Sequence, residues 1–149
     1  MEKLFIYYSQ SGNGDYLAQI FKEKGYITHK VETMKVIKKM GFWGILKYGG
    51  QAMMGKRTPI MKIELDLARY SEVIIGSPIW NDRLSTPILS LLDQFEFDKD
   101  KTKFLFYSGG GESKHAQKQI EKFGFKAGSI TLKQPLNYQE EAKEKLKEI

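Results

Sequence analysis

The sequence predicts a three-layer α/β domain in which helices cover both faces of an open parallel sheet. Three runs, at residues 3–8, 72–77 and 103–108, are almost continuously apolar, which is typical of strands buried on both faces. Two further runs, at 27–31 and 129–133, alternate more strongly and predict edge strands. Helical patterns fill the spaces between these runs, and such alternation of strands and helices favours a parallel sheet.

The predicted helices carry start and stop signals. An apolar face on residues 13–24 predicts the first helix, which Gly25 ends. Ser85 and Pro87 predict the N-cap and the first turn of the second helix, because serine accepts from exposed helical N–H groups and proline fits the first turn. The third helix is predicted over residues 113–123.

The remaining chain is consistent with one domain over residues 1–149. Asn137, followed three positions later by Glu140, resembles a capping box and predicts the start of the last helix. No repeat, low-complexity tract or linker interrupts the sequence. Residues 34–62 are the exception to short connections, and their glycines and aromatic residues predict one helix and a mobile loop that carries aromatic residues. Long connections of this type are often functional.

Composition excludes several kinds of chemistry. The chain has no cysteine, which excludes disulfides, thiolate nucleophiles and cysteine-ligated metals. With only two histidines, it is also poorly equipped for a histidine-rich metal site, and we predict no metal. Redox chemistry would therefore require a bound organic cofactor. No apolar stretch reaches the ~18 residues of a membrane helix, and the amino terminus lacks the pattern of a signal peptide, so we expect a cytoplasmic protein.

The net charge of +6 is concentrated in one segment. Residues 34–63 hold seven basic residues and no acid, which leaves 17 basic and 18 acidic residues in the rest of the chain. This distribution argues against a general nucleic-acid surface. The segment is either a solvated face or a docking surface for an acidic partner or an anionic substrate.

Polar or glycine-rich segments follow the first, third and fourth predicted strands. Because ligands of open α/β sheets bind beyond the carboxyl ends of the strands, we take these segments as the candidate site. The candidate residues are Ser9, Gln10, Ser11, Gly12, Asn13 and Gly14 after the first strand, Ser77, Pro78, Ile79, Trp80 and Asn81 after the third, and Ser108, Gly109, Gly110 and Gly111 after the fourth.

Each segment has a functional and a purely structural interpretation. Residues 9–14 offer hydroxyls and flexible backbone at a helix start, which suits a phosphate but also an ordinary capped turn. Trp80 is poorly placed to join the core, and either an aromatic ligand or its own loop would cover it. The glycines at 109–111 permit close approach of the main chain to a flat ligand, or simply form a flexible turn.

Taken together, the three motifs resemble the flavodoxin family, which binds FMN. The resemblance extends along the whole chain and implies a flavodoxin-like sandwich with five parallel strands in the order 2-1-3-4-5. It implies that residues 9–14 hold the FMN phosphate. Residues 77–81 would line the ribityl chain and one flavin face, with Trp80 stacking, and residues 108–111 would contact the pyrimidine side. No protein side chain is needed for bond making, so no catalytic residue is implied.

The chain departs from the family pattern in two places. The phosphate loop of the family usually closes with threonine, whereas this chain has Gly14. Residues 108–113 lack the aromatic residue that often covers the second flavin face, and Tyr107 is one position too early. That face would then be open, or covered by an aromatic residue of the long connection, for which the candidates are Phe42, Trp43 and Tyr48.

The resemblance implies an FMN-binding redox protein that carries electrons between partners. The alternative is an NAD(P)H-dependent enzyme that reduces quinones or other small acceptors, for which an open flavin face would admit the nicotinamide. Whether the protein is an enzyme therefore stays open at this stage. A third possibility is a flavin-free binding module that uses the basic segment 34–63.

Overall fold

The computed structural model describes residues 1–35, 46–48, 50–51 and 54–149. Its strands are β1 (Glu2–Tyr7), β2 (Ile27–Lys30), β3 (Tyr70–Trp80), β4 (Arg83–Leu84), β5 (Thr102–Ser108) and β6 (Ser129–Lys133). Its helices are α1 (Asn13–Glu23), α2 (Thr86–Gln94), α3 (Lys114–Lys122) and α4 (Gln139–Lys145), with short 3-10 helices at Leu67–Arg69 and Leu146–Glu148. Residues 46–48 and 50–51 are also helical. Within these ranges, we find no helix with the length and apolar character that crossing a membrane demands.

The sheet is parallel except at one short hairpin. Its order is β2-β1-β3-β5-β6, with β4 paired antiparallel to the end of β3. The almost continuously apolar strands β1, β3 and β5 are central, and the more alternating β2 and β6 form the edges, as predicted. The observed order differs from the predicted 2-1-3-4-5 because β4 was not predicted and adds a sixth strand.

The unpredicted strand arises because β3 is longer than the apolar run that predicted it. The strand continues to Trp80 and turns back through Asn81 and Asp82 to pair with Arg83 and Leu84. Asn81 and Asp82 have φ values of 51° and 59°, and two residues with positive φ form the tight turn that suits a β-hairpin. Residues 78–80 therefore belong to a strand rather than to a loop.

The predicted capping box at Asn137 is wrong. Helix α4 begins at Gln139 with Tyr138 at its N-cap, and no side chain caps it. The Asn137 side chain instead donates to Oε1 of Gln134 over 2.9 Å. At the second helix the predicted position is correct, because Ser85 occupies the N-cap and a proline follows in the first turn. The Ser85 hydroxyl, however, bonds to Ser77 Oγ and makes no capping bond to the helix.

Two apolar clusters lie on opposite faces of the sheet. Neighbouring residues of β1 alternate between them: Leu4 and Ile6 belong to one cluster, and Phe5 and Tyr7 to the other. The first cluster includes side chains of α2 and α3, and the second includes side chains of α1 and α4. The architecture is therefore the predicted three-layer sandwich, with α2 and α3 on one face and α1 and α4 on the other.

Glu72 joins three elements at the amino-terminal edge of the sheet. Tyr26 Oη donates to Glu72 Oε1, Lys103 Nζ donates to Oε2 over 3.1 Å, and Lys3 Nζ lies 3.7 Å from Oε1. Burial favours the protonated acid, but the hydrogen bonds from Tyr26 and Lys103 and the charges of Lys103 and Lys3 together lower the pKa of Glu72. The carboxylate therefore stabilises the folded state while it is ionised.

This environment predicts a specific acid sensitivity. A lowered pKa contributes stability above the ordinary glutamate value of 4.5, and that stability is lost as the pH falls through the lowered pKa. We expect the free energy of unfolding of Glu72→Gln, measured by urea denaturation between about pH 6 and about pH 3, to fall less steeply than that of the wild type. Identical pH slopes for the two proteins would contradict this assignment.

Candidate functional site

A cavity of about 590 Å³ opens at the carboxyl ends of β1, β3 and β5. This is the edge at which the three candidate segments were expected to meet. The cavity is lined by Gln10, Ser11, Asn13, Pro78, Ile79, Trp80, Asn81, Tyr107, Ser108, Gly109, Gln134, Leu136 and Asn137.

The candidate residues divide into those that line the cavity and those that do not. All three segments contribute lining residues, so the structure brings the segments together. The candidates that do not line it are Ser9, Gly12, Gly14, Ser77, Gly110 and Gly111. Ser77 illustrates this second group, because it is fully buried and its Oγ bonds to the Pro78 carbonyl and to Ser85.

The first segment is organised around Ser9. Its Oγ accepts hydrogen bonds from the backbone N–H groups of Gly14, over 3.0 Å, and Asp15, over 3.3 Å, and so caps helix α1 from outside. In the described part of the chain, the backbone N–H groups of Ser11, Gly12 and Asn13 donate to no protein acceptor. Three consecutive donors at a helix start, beside the Ser11 hydroxyl, suit a monophosphate.

Close packing explains why Gly14 occupies the position where the family usually has threonine. A Cβ at this position would lie 2.8 Å from Ser9 Cβ, from Tyr107 Oη and from Tyr7 Cδ2. Real Cβ atoms do not approach other atoms so closely, and the three residues that hold these atoms are buried. The aromatic side chains of Tyr7 and Tyr107 therefore fill the space that a threonine would need.

The acid nearest the first segment is paired. Asp15 accepts a hydrogen bond from Tyr7 Oη over 3.1 Å and forms an ion pair with Lys30, whose Nζ lies 2.8 Å from Oδ1. Burial and the nearby Asp15 charge raise the pKa of Tyr7, so its hydroxyl remains a donor at neutral pH. The Lys30 charge offsets the repulsion that Asp15 would exert on a bound phosphate.

Trp80 belongs to the core as well as to the cavity wall, which corrects the expectation that it is poorly placed to join the core. Its side chain is only 6% exposed. Tyr8 meets it edge-on, with ring centroids 5.9 Å apart, and Tyr48 meets it at 5.7 Å in a tilted arrangement. Burial and the nearby Tyr48 raise the pKa of Tyr8 to about 12. Stacking of Trp80 on a ligand stays a prediction.

In the glycine segment, residues 109–111, the last glycine is held by a hydrogen bond and the first two have free space beside them. Gly111, with φ of 79°, donates to Ser108 Oγ over 2.7 Å and packs on Lys133. By contrast, no described residue beyond the chain neighbours lies within 4 Å of the position that a Cβ would take at Gly109 or Gly110. A flat ligand could therefore approach the main chain at these two residues.

The structure places only some of the aromatic residues that were expected to cover the second face of a bound flavin. Phe42 and Trp43 lie outside the described residues. Tyr48 packs against Trp80, as above, and does not line the cavity. Tyr107 lies in β5, as its position predicts, and its hydroxyl donates to the Tyr8 carbonyl.

Sequence reasoning missed the segment between β6 and α4. Gln134, Leu136 and Asn137 line the cavity, although none of them was a candidate. The polar residues after β6 carry no signal beyond that of an ordinary loop.

The turn beside the cavity is held by a side-chain hydrogen bond between His115 and Asp82. His115 Nδ1 lies 2.6 Å from Asp82 Oδ2, and Arg83 donates to the Asn81 carbonyl over 3.2 Å. Burial opposes ionisation of Asp82, but hydrogen bonds from the side chain and backbone of His115, and the charges of His115 and Arg83, lower its pKa. These contacts hold the two turn residues in their left-handed conformations.

Part of the basic segment is neutralised within the protein. Arg57 forms a two-point ion pair with Asp93, at 2.7 and 3.3 Å, and Lys62 pairs with Glu64 at 3.0 Å. Lys35, Lys47 and Lys56 form no ion pair with any described residue. Some basic residues of the segment are therefore paired within the protein, and others have no acidic partner among the described residues.

The geometry can be compared with known proteins. No protein-family model and no curated protein matches the sequence. Solved structures do match. A candidate flavoprotein of Bacteroides eggerthii DSM 20697 aligns with a TM-score of 0.70 and 18% identity, over 87% of this chain and 86% of that one. A flavoprotein of Lactobacillus acidophilus NCFM, in complex with FMN, aligns with a TM-score of 0.67 and 21% identity, over 87% and 89%.

The chain has a flavodoxin-like fold. A candidate flavoprotein of Bacteroides uniformis ATCC 8492 shows the same likeness, with a TM-score of 0.66 and 17% identity over 86% of this chain and 88% of that one. Within the flavodoxin-like fold, the cavity lies where strand order reverses between β1 and β3, which is where such sheets bind ligands.

Proposed function

We propose that the protein is a cytoplasmic FMN-binding protein that carries electrons between redox partner proteins. The observation that most supports this is the cavity on which the three predicted segments converge, with three N–H donors at the start of α1 that have no acceptor among the described residues. The structural neighbour that holds FMN supports the same cofactor. When bound, FMN would supply the redox chemistry for electron transfer between the partner proteins.

The chain's own residues would bind and orient the cofactor. The N–H groups of residues 11–13 and the Ser11 hydroxyl would hold the phosphate, because they are uncharged donors at the positive end of a helix dipole. Trp80 and Ile79 would bound one side of the flavin ring. The open main chain at Gly109 would contact its polar edge.

Binding is tested by adding FMN to the apoprotein, removing the excess and recording the visible spectrum. We expect one flavin to remain bound per chain. We also expect Ser11→Asp to weaken FMN binding roughly a hundredfold, because the new carboxylate repels the phosphate over a few ångströms. Riboflavin, which lacks the phosphate, should bind both proteins equally. Isothermal titration with the two ligands measures both effects.

The matched control is Ser71→Asp. Ser71 is also exposed, but it lies near the start of β3, where its Oγ donates to the Glu2 carbonyl at the opposite edge of the sheet. This variant should bind FMN as the wild type does. An equal loss of FMN affinity in Ser11→Asp and Ser71→Asp would show a general effect of the added negative charge. A wild type that retains no flavin would refute the proposed function.

One observation favours an enzyme as a second candidate. The open space at Gly109 and Gly110 would let a nicotinamide reach the flavin. NAD(P)H would then give up a hydride, and a quinone would take up its two electrons together with the hydride's proton and a second proton from solvent. Anaerobic addition of NADH or NADPH to the FMN-loaded protein distinguishes the candidates. Rapid bleaching of the flavin bands would support the reductase, and unchanged bands would support the carrier.

A further inference from the structure

The segment between β6 and α4, residues 134–138, forms a wall of the cavity that none of the three predicted loops provides. Gln134, Leu136 and Asn137 line the cavity, and Leu136 is 40% exposed there. An apolar side chain exposed on the wall of a cavity, between two carboxamides, is well suited to contact a flat and largely apolar ligand.

The segment is tethered to two of the predicted loops. The Leu136 N–H donates to Asn13 Oδ1 over 3.1 Å. The Gln134 N–H donates to the Ser108 carbonyl over 3.0 Å, and its side-chain amide donates to the Gly109 carbonyl over 3.0 Å. The segment therefore spans the site from the first loop to the glycine loop, in a fixed position.

The backbone of this segment also carries strain. Gln134 has a φ of 35°, a conformation that residues other than glycine rarely adopt. The strain is held by the hydrogen bonds to Ser108 and Gly109, and by that from the Asn137 N–H to the Gln134 carbonyl over 2.8 Å. Such strain persists only where surrounding contacts impose it, and it concentrates at functional sites.

Residues 134–138 and Trp80, which together define two walls of the cavity, belong to opposite faces of the sheet. Trp80 packs in the apolar cluster that includes side chains of α2 and α3. Residues 134–138 lead into α4, which packs with α1 in the other cluster, and Leu136 Cδ2 lies 3.4 Å from the place of a Cβ on Gly12. A ligand in the cavity therefore meets Trp80 from one side of the sheet and Leu136 from the other.

We propose that Leu136 contacts the flavin ring of bound FMN on the side opposite the Trp80 wall, as an aliphatic cover in place of an aromatic one. This inference rests on the proposed function, because it requires that the cavity hold FMN. It adds a binding residue on a segment that the resemblance does not assign to the cofactor.

The test compares the binding of FMN and riboflavin to Leu136→Ala and to the wild type. Loss of an apolar contact to the flavin ring should lower the affinity for FMN and the affinity for riboflavin by the same factor, roughly tenfold. Leu136→Tyr should bind both more tightly than Leu136→Ala and should quench flavin fluorescence more strongly than the wild type, because an aromatic ring can stack on the flavin. Urea denaturation of each apoprotein checks that the variants fold.

The matched control is Ile27→Ala. Ile27 is an aliphatic residue of the same size, 39% exposed, at the start of β2 and hence at the edge of the sheet away from the cavity. It should leave both affinities unchanged. The inference is overturned if Leu136→Ala binds both ligands normally. It is also overturned if only FMN is weakened, since Leu136 would then act through Asn13 on the phosphate. A wild type that binds neither ligand refutes the proposed function itself.

Discussion

Gly14→Ala is expected to lower the free energy of unfolding by about 1–3 kcal/mol, although alanine is the better helix former. Helix propensity alone would favour alanine by about 1 kcal/mol. The new Cβ, however, would lie 2.8 Å from atoms of Ser9, Tyr7 and Tyr107, which are buried and cannot move aside freely. The steric clash should therefore lower the free energy of unfolding by more than the helix propensity of alanine raises it. Gly14→Thr should lower the free energy of unfolding further still. Urea denaturation of the apoproteins measures both.

Gly109→Ala is the matched control. Gly109 also borders the cavity, but no residue that the structure describes lies within 4 Å of its Cβ position, chain neighbours aside. The free energy of unfolding of this variant should therefore differ from that of the wild type by no more than about 0.5 kcal/mol. If Gly14→Ala proved as stable as Gly109→Ala, the close packing described around Gly14 would be wrong. The comparison also shows why two glycines of one site differ in their tolerance of substitution.

Trp80→Ala is expected to destabilise the apoprotein by about 3–5 kcal/mol, the usual cost of removing a buried tryptophan. The side chain is 6% exposed and contacts both Tyr8 and Tyr48, so its loss leaves a space between them. Because no ligand is present in this measurement, the loss reports packing alone. Urea denaturation of Trp80→Ala and Trp80→Phe, compared with the wild type, provides the test.

Trp80→Phe keeps an aromatic ring in the same place and should lose less than half as much stability. FMN affinity is then compared at a urea-free condition in which both variants are folded. An apoprotein of Trp80→Ala as stable as the wild type would show that the ring does not belong to the core. A stability loss without a loss of FMN affinity would confine Trp80 to a structural role.

The sheet could be predicted because burial leaves a simple pattern in the sequence. The apolar runs that became β1, β3 and β5 are covered on both faces, and the alternating runs that became β2 and β6 lie at the edges. The end of β3 escaped prediction, because Pro78 interrupts the pattern and the Asn81–Asp82 turn lies within a polar segment. Strand pairing with Arg83 and Leu84, which local sequence does not encode, decides that end.

The site was predictable where a loop directly follows a buried strand. The positions of residues 134–137 were not, because they depend on hydrogen bonds to Asn13 and Gly109, which are distant in sequence. The burial of Trp80 likewise depends on Tyr48, whose position in a long connection could not be inferred from local pattern. Contacts of this kind are properties of the tertiary structure alone.

The packing around Gly14 also constrains how the chain can change during evolution. Positions 7, 14 and 107 share one volume, since Tyr7 Cδ2 and the Tyr107 hydroxyl both occupy the space that a side chain at 14 would need. Homologues with threonine at position 14 should therefore carry smaller residues at positions 7 and 107, and those with tyrosine at both should keep glycine at 14. The three positions should covary across an alignment, and a switch to threonine would have to follow the loss of the large side chains at 7 and 107.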